Sequence, residues 1–159
     1  MNHAFVADAS VAVAWVHPAQ ATEETAALLR AVAAGASVVV PSLWPLEVAN
    51  ALVVLVRRGK LTEEERQSAL GWLRGLPVRV DHEAASLAFT NLSELASQHA
   101  LSVYDATYLE LALRQKLPLG AKDGPPAQTR AEKRCEVLDL NQLPIQPPAW
   151  PSNKSAARC

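Results

Sequence analysis

The alternation of short, continuous apolar runs with longer helical patterns constrains the fold of this chain more than any other feature. The apolar runs lie at residues 3–8, 37–40, 78–80, 117–121 and 135–138. Helical patterns separate them, at residues 10–16, 21–34, 44–58, 62–74, 82–99 and 104–115. Short apolar runs between helices are typical of buried strands in parallel sheets with right-handed crossovers. The order therefore predicts an α/β domain with a mostly parallel central sheet.

Local signals place several helix ends. Gly35 and Gly59 follow two of the helical patterns, at the position where a left-handed residue commonly ends a helix. Thr62 and Glu65 have capping-box spacing. The acidic run at residues 63–65 is therefore interpreted as helix-start chemistry and not as metal ligation.

The length of 159 residues fits one domain, which we assign to residues 1–140. Residues 141–159 are rich in proline, which sustains neither a helix nor a central strand. We expect this segment to be an extended or disordered tail.

Composition limits the class of protein. Half of the residues are apolar and 19% are charged, which suffices for a sizeable core. The net charge of -1 is not that of a generally basic nucleic-acid binder, so any RNA site must be local. Only two cysteines are present, the opening segment is a poor signal peptide, and no apolar run approaches the roughly 20 residues that span a bilayer. We expect a cytoplasmic protein without a membrane segment.

Four acids can reach the crevice beyond the carboxyl ends of the strands, where ligand sites of parallel α/β proteins occur, and two of them directly follow strands. Asp8 directly ends the first apolar run, and Asp123 follows the run at residues 117–121. Glu47 and Asp105 lie in the first turns of predicted helices that can point at the same crevice. The four carboxylates can therefore converge.

Each acid also has a purely structural interpretation. Asp8 can cap the helix after it, Glu47 and Asp105 can favour helix N-termini, and Asp123 can be a turn residue. Convergence would require a cation, because two carboxylates about 5 Å apart repel by roughly 3 kcal/mol at an effective dielectric near 20. Oxygen-only ligands suit Mg²⁺ or Mn²⁺, which support phosphodiester hydrolysis.

Three of the acids lie within longer segments that form a recognisable pattern. The segments are FVADASVAVAW at residues 5–15, PSLWPLEVANAL at 41–52 and LSVYDATYLELA at 101–112. In this order and spacing, over roughly residues 3–140, the chain resembles the PIN-domain toxins of the VapC type. The resemblance implies a PIN-like three-layer α/β/α fold and endoribonuclease activity that depends on Mg²⁺ or Mn²⁺. It also implies the toxin of a type II toxin–antitoxin pair, a cognate VapB-type antitoxin as inhibitor, and a homodimer.

The resemblance also implies the site residues. The catalytic and metal-binding acids are Asp8, Glu47, Asp105 and Asp123. Ser10 matches a small polar position near the metal, and Asn50 lies one turn beyond Glu47 on the same helix face. Separately, four basic residues are our candidates for phosphate contacts: Arg114, Lys122, Arg130 and Arg134.

The sequence departs from the family around Asp123. Family members commonly have a threonine two residues before this acid, where this chain has Ala121, and Pro125 and Pro126 follow it. These differences bring the fourth ligand and the shape of the pocket into question. The other three acids are unaffected.

The main alternative function is a PIN-like RNA- or protein-binding module with weak or lost nuclease activity, and metal-dependent cleavage discriminates between the two. A phosphatase is disfavoured, because Asp8 is followed by Ala9 and Ser10 and not by a second paired aspartate. The four histidines lack zinc-ligand spacing, and no glycine-rich phosphate loop is present.

The apolar region at residues 44–73 has two interpretations. It is either ordinary core or a dimer or antitoxin surface that includes Trp44, Leu52 and Leu55.

Overall fold

The computed structural model of the chain describes residues 4–122. Within these residues, four parallel strands form one sheet in the order β3-β2-β1-β4. The strands are β1 Ala4–Ala7, β2 Ser37–Pro41, β3 Val78–Asp81 and β4 Leu119–Gly120. They coincide with the first four predicted apolar runs. The fifth run, at residues 135–138, lies outside the described residues.

Seven α-helices connect the strands within the described range. They are α1 Ala9–Val16, α2 Glu23–Ala33, α3 Trp44–Arg57, α4 Glu63–Arg74, α5 Ala84–Leu87, α6 Ser93–His99 and α7 Val103–Gln115. In that range, no helix is long and apolar enough to cross a membrane.

The strand order explains how the helices are arranged in layers. The chain moves in one direction from β1 through β2 to β3, so right-handed crossovers place α1–α4 on one face of the sheet. It then returns past β2 and β1 to β4, which places α5–α7 on the other face, and α7 packs against β1 and β2. The predicted three-layer α/β/α fold with a parallel sheet is confirmed.

The two central strands are buried on both faces. Residues Val38–Val40 of β2 are fully buried, and Phe5, Val6 and Ala7 of β1 are at most 1% exposed. This two-sided burial is the reason that these strands are continuous apolar runs and do not alternate with polar residues.

Helix α3 contributes to the same core. Trp44 is 6% exposed and Leu52 is fully buried, whereas Leu55 is partly buried and packs against the core. The interpretation of Trp44 and Leu52 as ordinary core is therefore confirmed. Neither side chain is available to a dimer or antitoxin surface.

The predicted helix ends agree with the structure. Thr62 accepts a hydrogen bond of 3.1 Å from the backbone N–H of Glu65, whose carboxylate accepts one of 2.8 Å from the backbone N–H of Thr62. The acidic run thus forms a capping box, as expected. Gly35 and Gly59 adopt φ of +99° and +65°, which favour glycine at these helix ends.

One helix prediction was too simple. Residues 82–99 do not form a single α-helix, because a π-helical turn at Ala88–Leu92 separates α5 from α6. The Thr90 hydroxyl donates to the Leu87 carbonyl within this turn, and threonine and asparagine are weak helix formers. These two residues weaken the preference of the segment for a regular α-helix.

Candidate active site

The edge of the sheet where the strand order reverses is formed by the carboxyl ends of β1 and β4. The connection after β1 leads towards β2, whereas β4 lies on the other side of β1. In open parallel sheets, ligands bind in the crevice at such a reversal. Asp8 follows β1 here, and its backbone N–H donates a hydrogen bond of 2.9 Å to the Gly120 carbonyl. The first predicted acid is therefore located at the expected edge.

Asp8 occupies the N-cap position of α1 but makes no side-chain capping hydrogen bond. Its half-buried carboxylate instead accepts a hydrogen bond of 2.8 Å from the Ser10 hydroxyl. Burial raises the pKa of Asp8, the nearby charge of Asp105 raises this pKa further, and the Ser10 hydrogen bond opposes the increase. The backbone N–H groups of Ala9 and Ser10 also lower the pKa of Asp8, so this acid keeps an electrostatic role at the start of α1 beside its contact with Ser10.

Glu47 lies in the first turn of α3 and reaches across to α7. Its carboxylate accepts a hydrogen bond from the Tyr108 hydroxyl, 61 residues further along the chain. Burial raises the pKa of Glu47, the Tyr108 hydrogen bond opposes this change, and the charges of Asp8 and Asp105 add to it. A long-range contact of this kind is not helix-start chemistry.

Asp105 lies in the first turn of α7, and its side chain is exposed. Its backbone N–H donates to the Ser102 hydroxyl at 3.0 Å, and this hydroxyl donates to the Asp105 carboxylate at 2.7 Å. Ser102 is the N-cap of α7. Asp105 therefore takes part in the start of the helix, as its structural interpretation expected, and also acts electrostatically on Asp8 and Glu47.

Asp8, Glu47 and Asp105 are neighbours, although they do not form a complete metal-binding site by themselves. Asp105 raises the pKa of both Asp8 and Glu47, and Asp8 raises that of Glu47. Among residues 4–122, however, no three acidic, histidine or cysteine side chains are positioned to hold a metal ion together. The predicted fourth acid, Asp123, lies outside the described residues.

The chemistry of the three acids nevertheless suits a hard divalent cation. Mg²⁺ keeps several of its waters, so it needs only one or two protein carboxylates when substrate phosphate completes its ligand shell. The charged groups that shift the pKa values of Asp8 and Glu47 are other acids, and a cation would relieve this repulsion. The donors are all oxygens, as Mg²⁺ and Mn²⁺ prefer.

Tyr108 was missed as a site residue from the sequence. Its side chain is 3% exposed, and its hydroxyl meets Glu47. The signal was available, because Tyr108 follows Asp105 by three residues on a predicted helix and must share its face. What the sequence does not reveal is that α3 places Glu47 against that face.

The other predicted site residues are more dispersed. Asn50 is exposed on α3, one turn after Glu47. Lys122 follows β4, where its backbone N–H donates to the Ser10 hydroxyl at 3.4 Å and its ammonium group contacts the Gln20 side chain at 3.4 Å. Lys122 is therefore adjacent to Asp8 through Ser10.

Arg114 lies near the other end of α7, nine residues and about 14 Å along the helix from Asp105. Its guanidinium donates to both oxygens of Asp81, at 2.8 and 3.2 Å, and to Glu110 at 2.8 Å. Its donors are thus largely engaged within the protein. The remaining candidates for phosphate contacts, Arg130 and Arg134, lie outside the described residues.

The fold and the acids at its strand-order reversal define a parallel α/β protein with a candidate carboxylate site for a divalent cation. The sequence model of the PIN domain matches residues 5–130, and the chain belongs to the PIN domain family. PIN domains are generally metal-dependent nucleases, so the chain is a nuclease-type module. No curated protein matches the chain.

Proposed function

We propose that this protein is a Mg²⁺- or Mn²⁺-dependent endoribonuclease of the VapC type. The observation that carries the proposal is the grouping of three acids where the strand order of the sheet reverses: the charge of Asp105 raises the pKa of Asp8 and of Glu47, and the charge of Asp8 raises that of Glu47. Three neighbouring carboxylates without a compensating cation are electrostatically unfavourable. A divalent cation that also binds an RNA phosphate would offset this repulsion.

Each proposed residue has a defined task. Asp8, Glu47 and Asp105, together with Asp123, hold the cation, which supplies the positive charge that activates water and stabilises the phosphodiester as it is hydrolysed. Ser10 orients Asp8 through its hydrogen bond of 2.8 Å. Lys122, which is adjacent to Ser10, contacts a phosphate of the RNA. Asn50 lies at the edge of the site beside Glu47.

The biological role is proposed from the same family pattern. The protein is the toxin of a type II toxin–antitoxin pair, it acts on RNA in the cytoplasm as a homodimer, and a VapB-type antitoxin inhibits it. The exposed Leu46, Val103 and Tyr104 adjoin the proposed ligands along the chain, which gives an antitoxin apolar groups to cover beside the acids.

A second function, an RNA- or protein-binding PIN module without cleavage, is favoured by two observations. In the described part of the chain, no three acids converge tightly enough to hold a metal ion. Ala121, which stands where the family commonly has threonine, also favours a module with weak or lost cleavage. The two functions differ in whether phosphodiester bonds are cut.

The deciding experiment uses full-length protein purified free of any antitoxin and incubated with total RNA. Wild type is compared with Asp8→Asn, each with Mg²⁺, with Mn²⁺ and with EDTA. Discrete cuts that require both the metal and Asp8 are the expected result. If folded wild-type protein binds RNA but leaves it intact under every condition, the endoribonuclease proposal is wrong and the binding module replaces it.

A further inference from the structure

Glu47 is held by a side-chain contact with a distant part of the chain. It lies on α3, whereas Asp105 lies on α7 and Asp8 follows β1. The side-chain hydrogen bond of Glu47 connects it to Tyr108, which lies one turn beyond Asp105 on α7. This single contact spans the two helices that contribute proposed ligands.

The electrostatics explain why Glu47 needs such a partner. The negative charges of Asp8 and Asp105 act on Glu47 and favour a rotamer that moves its carboxylate away from them. A neutral hydroxyl can hold the carboxylate and leave its negative charge available to a cation. A lysine or arginine in the same place would neutralise that charge. Tyr108 is 3% exposed, so packing also restricts its ring and directs the hydroxyl.

We propose that Tyr108 is a positioning residue, which holds the Glu47 carboxylate towards Asp8 and Asp105 in the geometry that binds the divalent cation. This inference deepens the proposed function and rests on it. Outer partners of this kind orient metal ligands, and their loss typically weakens metal affinity or activity by about 10- to 100-fold. In this proposal Tyr108 acts through Glu47 and is not itself a ligand of the cation.

The test replaces one hydroxyl in each of two tyrosines on the same helix. Tyr108→Phe removes the hydroxyl that holds Glu47, and Tyr104→Phe removes one from a side chain that is 65% exposed. Mn²⁺ affinity is measured by calorimetry on full-length protein, and RNA cleavage is measured over a range of Mn²⁺ concentrations. Thermal unfolding in EDTA checks that each variant is folded.

We expect Tyr108→Phe to bind Mn²⁺ about tenfold more weakly. Its kcat at low Mn²⁺ should fall by a similar factor, KM for RNA should stay within about twofold, and excess Mn²⁺ should restore kcat. Tyr104→Phe should match wild type in Mn²⁺ affinity. A purely structural role for Tyr108 predicts a lower melting temperature without this metal-dependent rescue.

Wild-type Mn²⁺ affinity in folded Tyr108→Phe overturns the proposal. If wild-type protein itself binds no Mn²⁺, the metal-dependent function fails separately, and the positioning claim is decided by a crystal structure of Tyr108→Phe. A Glu47 carboxylate that keeps its wild-type position in that structure overturns it, and a displaced carboxylate supports it.

Discussion

The backbone N–H of Asp8 donates a hydrogen bond of 2.9 Å to the carbonyl oxygen of Gly120. The bond joins the end of β1 to the end of β4, the two strands between which the strand order reverses. The Ser10 hydroxyl adds a second link, since it accepts a hydrogen bond from the backbone N–H of Lys122 at 3.4 Å. The position of Asp8 thus depends on the close approach of β4.

Gly120 leaves room for the side chain of Leu28 on α2, which leads to the first prediction. A Cβ atom at this position would lie 2.6 Å from Cδ1 of Leu28 on α2. We expect Gly120→Ala to destabilise the protein by about 1–3 kcal/mol, because the side chain of Leu28 or the strand must shift. Urea unfolding measures the change.

Gly71→Ala is the matched control. A Cβ at Gly71 meets nothing within 4 Å, and the residue lies inside α4. Alanine there should stabilise the protein by about 0.5–1 kcal/mol, because glycine is a poor helix former. If Gly120→Ala stabilises the protein as Gly71→Ala does, the contact with Leu28 has no energetic importance.

The second prediction concerns Asp105, which is exposed and therefore tolerates a change of charge. Asp105→Asn should reduce cleavage at least about 100-fold, because it removes a ligand charge with little change of shape. Its hydrogen bond from Ser102 can persist, since asparagine retains an acceptor oxygen. A quantitative RNA cleavage assay gives the rate.

Glu64→Gln provides the comparison for that assay. Glu64 is also exposed in the first turn of a helix, but it belongs to the capping region of α4. Its replacement should leave cleavage unchanged. Wild-type rates in Asp105→Asn would remove Asp105 from the proposed metal site.

The third prediction is that the acids of the site lower the stability of the metal-free protein. Burial raises the pKa of Asp8 and of Glu47 above the ordinary values of 3.8 and 4.5 that we assign to the unfolded chain. The folded state therefore binds protons more readily than the unfolded chain. The contribution of these two groups to the stability of the fold is fully present when the pH is below their ordinary pKa values. It is lost as the pH rises through the raised pKa values.

Asp8→Asn isolates this effect from the other acids. In EDTA at pH 7, we expect its melting temperature to exceed that of wild type, because asparagine carries no charge that burial and Asp105 disfavour. The difference should shrink as the pH falls, because the raised pKa of Asp8 lets the folded wild type take up a proton there more readily than the unfolded chain. A difference that does not change with pH would contradict this electrostatic explanation.

The fourth prediction separates two of the basic residues proposed to contact RNA. Lys122→Ala should weaken RNA binding at all sequences and reduce the salt slope of log K by about 1, as expected for one lost phosphate contact. Arg114→Ala should lower the free energy of unfolding by about 0.5–1 kcal/mol, because it breaks the pairs with Asp81 and Glu110.

Fluorescence anisotropy at several salt concentrations, together with urea unfolding, measures both effects. If Arg114→Ala reduces the salt slope as strongly as Lys122→Ala, Arg114 also contacts RNA despite its internal ion pairs. An unchanged slope in Lys122→Ala would exclude this lysine as a phosphate contact.

Much of the fold was determined by local sequence. The continuous apolar runs at β1 and β2 predict buried parallel strands, because a strand covered on both faces has no polar side. Thr62, Glu65 and Gly59 predict helix ends because capping and positive φ depend on a few neighbouring residues. Asp8 was predicted at the carboxyl edge of the sheet for the same kind of reason, since it directly follows a strand.

Only the tertiary structure decided which groups meet. It placed Glu47 against Tyr108, and it engaged Arg114 with Asp81, more than 30 residues away in the chain. It also assigned Trp44 and Leu52 to the core, although an apolar helix face is equally compatible with an interface. These contacts follow from how α3 and α7 pack across the sheet. Periodicity determines which face a side chain occupies, whereas packing between distant elements determines what that face touches.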